Sequence, residues 1–125
     1  MAYELRVKDI TRVAAADLDS YQFYGVSLNS SGNIVLHGAL TAVISVGILQ
    51  TKPKSGEGGE VRTIGISKAV SNGSTTAGKP QKFSSGKVTD VTADGDRYNC
   101  IALEAAATDG IVISVLMEHG YYYTA

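Results

Sequence analysis

Turn signals interrupt this chain at short intervals, and their spacing limits the folds it can adopt. Clusters of glycine, asparagine, aspartate, serine and proline occur at residues 29–33, 53–59, 72–73, 78–80, 84–86, 94–95 and 109–110. Segments of strand length, rich in β-branched and aromatic residues, lie between them. These segments are 21–28, 34–36, 43–50, 61–70, 81–83, 88–91, 97–105 and 111–117. Short strands at such regular spacing predict an all-β sandwich or barrel with little helix.

Two of these segments are apolar on both faces. Residues 111–117 are apolar at every position except Ser114, and in the segment 97–105 the pairs Ile101/Leu103 and Cys100/Ala102 alternate. A strand with one solvated face alternates polar and apolar residues instead. We therefore expect both strands to be central in a sheet or sandwiched between layers.

The region 9–18 fits two structures. Asp9 could cap a turn of helix whose apolar face includes Ile10, Val13 and Leu18. A strand followed by a turn fits this region equally well, and the sequence leaves both open.

Both ends of the chain have residues typical of protein interfaces. Residues 2–8 alternate apolar and charged side chains, as an edge strand or an arm lying on a neighbour does. Three consecutive tyrosines occur near the other end, and tyrosine is enriched at interfaces because it buries apolar area while its hydroxyl keeps a partner. A last strand packed on its own domain is the alternative. The candidate contact residues are Tyr3, Leu5, Val7, Tyr121, Tyr122 and Tyr123.

The glycine-rich stretch TKPKSGEGGE, residues 51–60, separates two apolar segments. A linker between two domains would need an independent core on each side, and neither half has one. Apolar strands flank the stretch closely, and glycine tolerates positive φ, so we expect an exposed hairpin loop. The sequence thus predicts a single β domain at 21–117, preceded by an N-terminal arm and lead-in segment at 1–20 and followed by a tail at 118–125.

Charge and hydropathy argue against two classes of partner. The net charge is -1, so no basic field exists to attract nucleic acid or an anionic membrane. The longest apolar-rich run, residues 39–49, is far shorter than the roughly 20 residues of a membrane span. Residues 1–10 also lack the continuous apolar run of a secretory signal. We expect a soluble protein that binds neither nucleic acid nor membrane.

No motif in the sequence is complete enough to predict catalysis or cofactor binding. GSTTAGKP, residues 73–80, has proline where a phosphate loop needs a hydroxyl that binds magnesium, and a strand pattern follows where a helix is needed. The single cysteine, Cys100, lies in an apolar strand where a buried, inert thiol is the usual case. A hydrolase would need His37 or His119 beside a nucleophile, and nothing in the sequence brings either one there. We expect no enzyme, metal site or cofactor.

Two separated segments resemble the small capsid decoration (cement) proteins of tailed double-stranded DNA bacteriophages. VGILQTKPKSGEGGEVRTIGISKAV, residues 46–70, contains the G-[IV]-L-Q-x-K-P pattern of those proteins, and GDRYNCIALEAAATDGIVISVLM, residues 95–117, contains their A-L-E-A-A pattern. The likeness covers roughly residues 20–117, and the tail beyond Met117 is longer than usual in the family. The matching residues are Gly47, Ile48, Leu49, Gln50, Lys52 and Pro53 in the first pattern, and Ala102, Leu103, Glu104, Ala105 and Ala106 in the second.

The resemblance implies a small β-barrel or β-tulip-like domain with no catalytic residues. It implies a virion protein, made in the host cytoplasm, that binds the major capsid protein on the outer surface of the mature head and bridges capsid subunits. It also implies a homo-oligomer, with a trimer favoured and a dimer possible. The alternative from another class is a small β-barrel module that binds carbohydrate or peptide, with tyrosines as stacking platforms.

Overall fold

The computed structural model describes residues 7–38 and 44–123. These residues form ten strands in two antiparallel sheets and no helix, which confirms the all-β prediction. The first sheet contains β1 (Lys8–Val13), β2 (Gly25–Leu28), β3 (Ile34–Leu36), β4 (Gly47–Leu49) and β5 (Gly58–Ile64). The second contains β6 (Ile66–Val70), β7 (Pro80–Ser84), β8 (Lys87–Asp90), β9 (Arg97–Ala102) and β10 (Val112–Tyr121).

The region with two possible structures begins as a strand. β1 pairs antiparallel with β5, with Ile10 opposite Val61 and Asp9 opposite Arg62. The Asp9 carboxylate accepts a 2.9 Å hydrogen bond from Arg62 Nε, which holds the edge strand in register. The helical alternative for this region is therefore wrong. The functional division into an arm, a β domain and a tail stays a prediction.

The predicted strand at 61–70 is two strands in different sheets. Gly65 separates β5 from β6 and has a φ of 103°, a backbone conformation that residues with a Cβ rarely adopt. The chain passes from the first sheet to the second at this residue. The predicted hairpin at 51–60 is confirmed, because β4 and β5 on either side of it pair antiparallel.

The two sheets have the same strand order. The first is ordered β1-β5-β4-β2-β3 and the second β6-β10-β9-β7-β8, so every strand has a counterpart five strands later. The pairing registers correspond as well. Each pair in the first sheet has a counterpart in the second: Ile10–Val61 corresponds to Ser67–Val115, Ile48–Arg62 to Ile101–Leu116, and Val26–Leu36 to Gln81–Asp90. The chain therefore contains two units of one topology, which we call the first unit (residues 8–64) and the second unit (residues 66–121).

Each sheet curls until its edge strands meet at one end. A parallel bridge joins Ala14, just after β1, to Ile34 in β3, and the counterpart bridge joins Ser71 to Val88 in β8. A closed barrel requires a continuous ladder between the two edges. Because β1 and β6 end where the edges first meet, no such ladder forms within residues 7–38 and 44–123, and the sheets stay open. The prediction of a barrel is thus wrong, while that of a small all-β domain holds.

Each unit has its own cluster of buried side chains, but two residues of the first unit, the buried Ile48 and the partly buried Phe23, pack with the cluster of the second. In β4, Leu49 belongs to the cluster of the first unit, whereas Ile48 points the other way and belongs to the cluster of the second. The first cluster is formed by Ala14, Leu18, Val26, Ile34, Leu49 and Val61. The second is formed by Ile48, Ala69, Phe83, Val88, Cys100, Ala102, Ala106, Ile113, Val115 and Met117.

The units pack through the outer face of the first one. The Phe83 ring lies so close to Gly25 that a Cβ on this glycine would stand 2.5 Å from ring carbons. The Gly25 amide donates a 2.7 Å hydrogen bond to the Gly86 carbonyl. Gln50 Nε2 donates a 2.8 Å bond to Ser67 Oγ. The second unit therefore covers the outer face of β2 and β4, and the two sheets form one small domain.

Candidate interaction site

The tyrosines near the end of the chain follow the second sheet. The register of β10 against β9 shifts between Met117 and Gly120, after which Tyr121 lies opposite Arg97. Tyr122 continues the pairing, since its amide donates to the Asp96 carbonyl at 2.8 Å and its carbonyl accepts from the Gly95 amide at 2.7 Å. This pairing fixes the direction of the Tyr121 and Tyr122 side chains.

Arg97 and Tyr121 form a cation–aromatic pair on the surface. Arg97 Nη2 donates a 2.6 Å hydrogen bond to the Tyr121 hydroxyl, and the guanidinium carbon lies 5.2 Å from the centre of the ring. Such a pair contributes about 0.5–1 kcal/mol at an exposed site. Tyr121 and Tyr123 remain exposed, while Tyr122 is half-buried. Tyr121 is therefore held in one orientation and remains available for contact.

Gly120 allows a second tyrosine to pack at this end of the sheet. Tyr98 lies opposite it on β9, and its ring occupies the space that a Cβ on Gly120 would need. Only glycine accepts an aromatic ring this close to the backbone. The site thus has one tyrosine lying on the strand and one held by Arg97.

A pocket of about 380 Å³ opens beside this pair. Arg97, His119 and Tyr121 contribute its polar groups, and the exposed Ile44 contributes apolar area. Ser45 also lines it, with its hydroxyl donating to the Val26 carbonyl at 3.0 Å. A cation, an imidazole, an aromatic ring and an aliphatic side chain suit contact with a protein loop or a planar polar ligand.

The predicted N-terminal contacts lie elsewhere or outside the described residues. Tyr3 and Leu5 fall outside residues 7–38 and 44–123. Val7 precedes β1 at the edge of the first sheet and is 52% exposed. Tyr121 and Tyr122, by contrast, bond to residues 95–97 of the second sheet. The structure thus brings the tyrosines together with Arg97 and places Val7 on the other sheet.

The two strands that are apolar on both faces are covered on only one. β9 and β10 are interior strands of the second sheet, as predicted, and Cys100, Ala102 and Val115 are buried on one face. On the other face, Leu103 is 46% exposed and Leu116 is 36% exposed. The prediction that these strands are central or sandwiched is therefore confirmed in its first form, while the ten strands of the described residues place no second layer over this face.

The residues considered for catalysis, Cys100, His37 and His119, lie in three different environments. Burial raises the pKa of the Cys100 thiol to about 12, so the nucleophilic thiolate is absent at neutral pH. Burial also lowers the pKa of His37, whose ring contacts the edge of Phe83 at 6.1 Å between centres. His119 is exposed in the pocket beside Arg97. Within residues 7–38 and 44–123, no hydrogen bond joins either histidine to a serine, threonine or cysteine side chain.

The described residues also lack two other kinds of site. No group of three or more histidine, cysteine, aspartate or glutamate side chains in residues 7–38 and 44–123 is placed to hold a metal ion. No helix with the length and hydrophobicity of a membrane span occurs in the same residues.

The sequence did not predict that Arg97 pairs with Tyr121. Arg97 begins a segment of strand length, but nothing in the local sequence shows which strand lies beside it. The pairing of β9 with the end of β10 supplies that information, and it follows from the fold of the whole second unit.

Comparisons with known proteins extend the description of the fold. No family model matches the sequence. No curated protein matches it either. Among solved structures, the chain is similar to the N base of head fiber gp8.5 of bacteriophage phi29, with a TM-score of 0.64 and 14% identity. The match covers 90% of this chain and 95% of that one, so the likeness extends over both units. At this identity the shared property is the fold.

Proposed function

We propose that this chain is a structural, non-enzymatic protein of a bacteriophage head: a decoration protein that binds the outer surface of the mature shell. The observation that carries the proposal is the fold shared with a phage head fiber base over 90% of the chain. The G-I-L-Q-x-K-P and A-L-E-A-A segments support it independently, because they resemble decoration proteins by sequence.

Such a protein acts through its binding free energy. Its partner is the major capsid protein, and an oligomer of this chain, with a trimer favoured and a dimer possible, bridges neighbouring capsid subunits. A protein that binds the mature shell and not its precursor stabilises the mature form by mass action. Several weak contacts in one oligomer raise the effective affinity. The protein is made in the host cytoplasm and is incorporated into the virion.

We assign the capsid or protomer contact to the two ends of the chain. Tyr121 and Tyr123 supply exposed aromatic area, and Arg97 holds Tyr121 in place. The N-terminal arm supplies Tyr3, Leu5 and Val7. Aromatic residues and arginine are the residue types most often found at energetically important interface positions.

Binding to heads that lack the protein tests the proposal. We expect saturable co-sedimentation of the purified chain with such heads. Deletion of residues 2–6, or the double substitution Tyr121→Ala/Tyr123→Ala, should weaken binding while the domain stays folded, with loss of the Arg97–Tyr121 pair lowering the free energy of unfolding by no more than about 1 kcal/mol. Lys54→Ala, on the exposed loop between β4 and β5, serves as a matched control that binds normally. Absence of binding to heads by the intact chain would contradict the proposal.

The pocket beside Tyr121 supports a second candidate function, the binding of carbohydrate or peptide. Tyr121, Arg97 and His119 combine an aromatic surface with hydrogen-bond donors, as sugar sites do. Glycan and peptide arrays separate the two functions. A specific ligand whose binding is lost in Tyr121→Ala, together with no binding to heads, would favour the second.

A further inference from the structure

The outer face of the second unit is an apolar patch, which we call the second-unit face. Leu116 lies directly opposite Ile66 on one side and Ile101 on the other, so three aliphatic residues cross β6, β10 and β9 in one row. Leu103 follows Ile101 on this face in a row with Ser114 and the exposed Lys68, and Val112 lies beyond Ser114 on the face of Leu116. Contiguous exposed apolar patches on soluble proteins commonly mark interaction sites.

The corresponding face of the first unit is covered within the chain itself. By pairing register, Ile48 is the counterpart of Ile101, and Gln50 that of Leu103. Ile48 is fully buried in the core cluster of the second unit. Gln50 donates its side-chain hydrogen bond to Ser67 of the second unit. A unit of this same fold therefore covers this face in the first unit.

The two faces differ at one further pair. The counterparts of Ile66 and Leu116 in the first unit are Asp9 and Arg62, which form an ion pair with both side chains partly exposed. The first unit thus has charges where its covered face borders solvent. The second unit has two aliphatic side chains, 42% and 36% exposed, at the same positions. These residue types suit a covered interface better than a solvated one.

We propose that the second-unit face binds a second copy of this chain. The proposal identifies the contact surface of the oligomer that the proposed function includes, and in that respect it rests on the proposed function. A second copy is the favoured occupant because the counterpart face already binds a unit of this topology within one chain. Contacts of this kind, between different surfaces of two copies, close into rings such as trimers when the rotation between copies allows it.

The first unit supplies a variant that removes the patch and preserves the fold. Ile66→Asp/Leu116→Arg places the Asp9–Arg62 pair at its counterpart positions, where the backbone register is the same. Because the pair is compatible with this register in the first unit, we expect the variant to fold. Val13→Arg is the control, since Val13 is 43% exposed on the edge strand β1 outside the patch.

Sedimentation equilibrium over a range of concentrations measures the effect. We expect the wild type and Val13→Arg to sediment as an oligomer of 13.1 kDa chains. The double variant should raise the dissociation constant of self-association about 100-fold, the effect of losing two buried aliphatic anchors. Should the double variant fail to fold by circular dichroism, Leu103→Gln, which copies Gln50, provides the same test with a smaller change.

Two results would overturn the proposal. One is a wild type that stays monomeric up to about 1 mM. The other is a folded variant that associates as tightly as the wild type. A monomer that still binds heads refutes the second-unit face and leaves the proposed function standing. An oligomer that the variant disperses, but that does not bind heads, supports the face and refutes the proposed function.

Discussion

At Cys100, burial decides the chemistry of the side chain. The thiol is fully buried in the core of the second unit, and loss of hydration penalises its charged form, which raises its pKa to about 12 from 9.0. The sequence predicted this inert environment because Cys100 stands among apolar residues of a strand. It did not predict the environment of Gln81, which is equally buried and donates a 2.6 Å hydrogen bond to Asp90. A single polar residue in a strand is normally predicted to be exposed, because the sequence does not show that its hydrogen-bonding partner lies on another strand.

We predict that the native Cys100 thiol resists modification. With a folded pKa above the unfolded value, the thiolate is suppressed between pH 9 and 12 in the native state and appears in the unfolded chain. Labelling with a disulfide reagent at pH 8 should be slow in buffer and should reach one equivalent per chain in guanidinium chloride. Rapid stoichiometric labelling of the native protein would contradict the burial of this thiol.

At the scale of elements, alternation located most strands but not the boundary between the sheets. The pattern runs without interruption from Val61 to Val70, and a lone glycine in a strand usually marks only a bulge. The positive φ at Gly65 instead separates β5 from β6. Similarly, apolar residues on both faces of β9 and β10 predicted strands that are central or sandwiched, and the structure makes them central with one face open. The sequence pattern records that a face is apolar, but it does not say whether the same chain covers it.

Gly65→Ala should destabilise the domain by about 1–2 kcal/mol, because a Cβ disfavours positive φ. The free energy of unfolding in urea measures the loss. Gly58→Ala is the control: this exposed glycine has no positive φ, and its nearest neighbour would be 3.6 Å from the new Cβ. Equal stability of Gly65→Ala and the wild type would mean that the junction between the sheets does not depend on this conformation.

At the scale of the whole molecule, the repetition of one unit could not be predicted from the sequence. The partners Val26 and Leu36 of the first unit correspond to Gln81 and Asp90 of the second, so an apolar pair replaces a hydrogen-bonded one. The pairing geometry is retained although the side chains differ. The G-I-L-Q-x-K-P and A-L-E-A-A segments, found as separate patterns, occupy corresponding positions, since β4–β5 and β9–β10 are counterparts.

Ile48 should couple the stability of the two units. It belongs to the first sheet but fills the core of the second, so Ile48→Ala should cost about 2–5 kcal/mol and should destabilise both units together. Hydrogen exchange measures this as an equal loss of protection in β5 and β10. Ile64→Ala, at an exposed position, should change stability by less than about 0.5 kcal/mol. A loss confined to one unit would show that the units unfold independently.

Imaging of phage heads tests the role of the whole molecule most directly. Reconstructions of heads that lack the protein, before and after its addition, give the added density by difference. We predict discrete density on the outer surface, large enough for an oligomer of this two-unit chain, with the end that contains Arg97 and Tyr121 against the shell or a neighbouring copy. Identical reconstructions at saturating protein would contradict a role on the head.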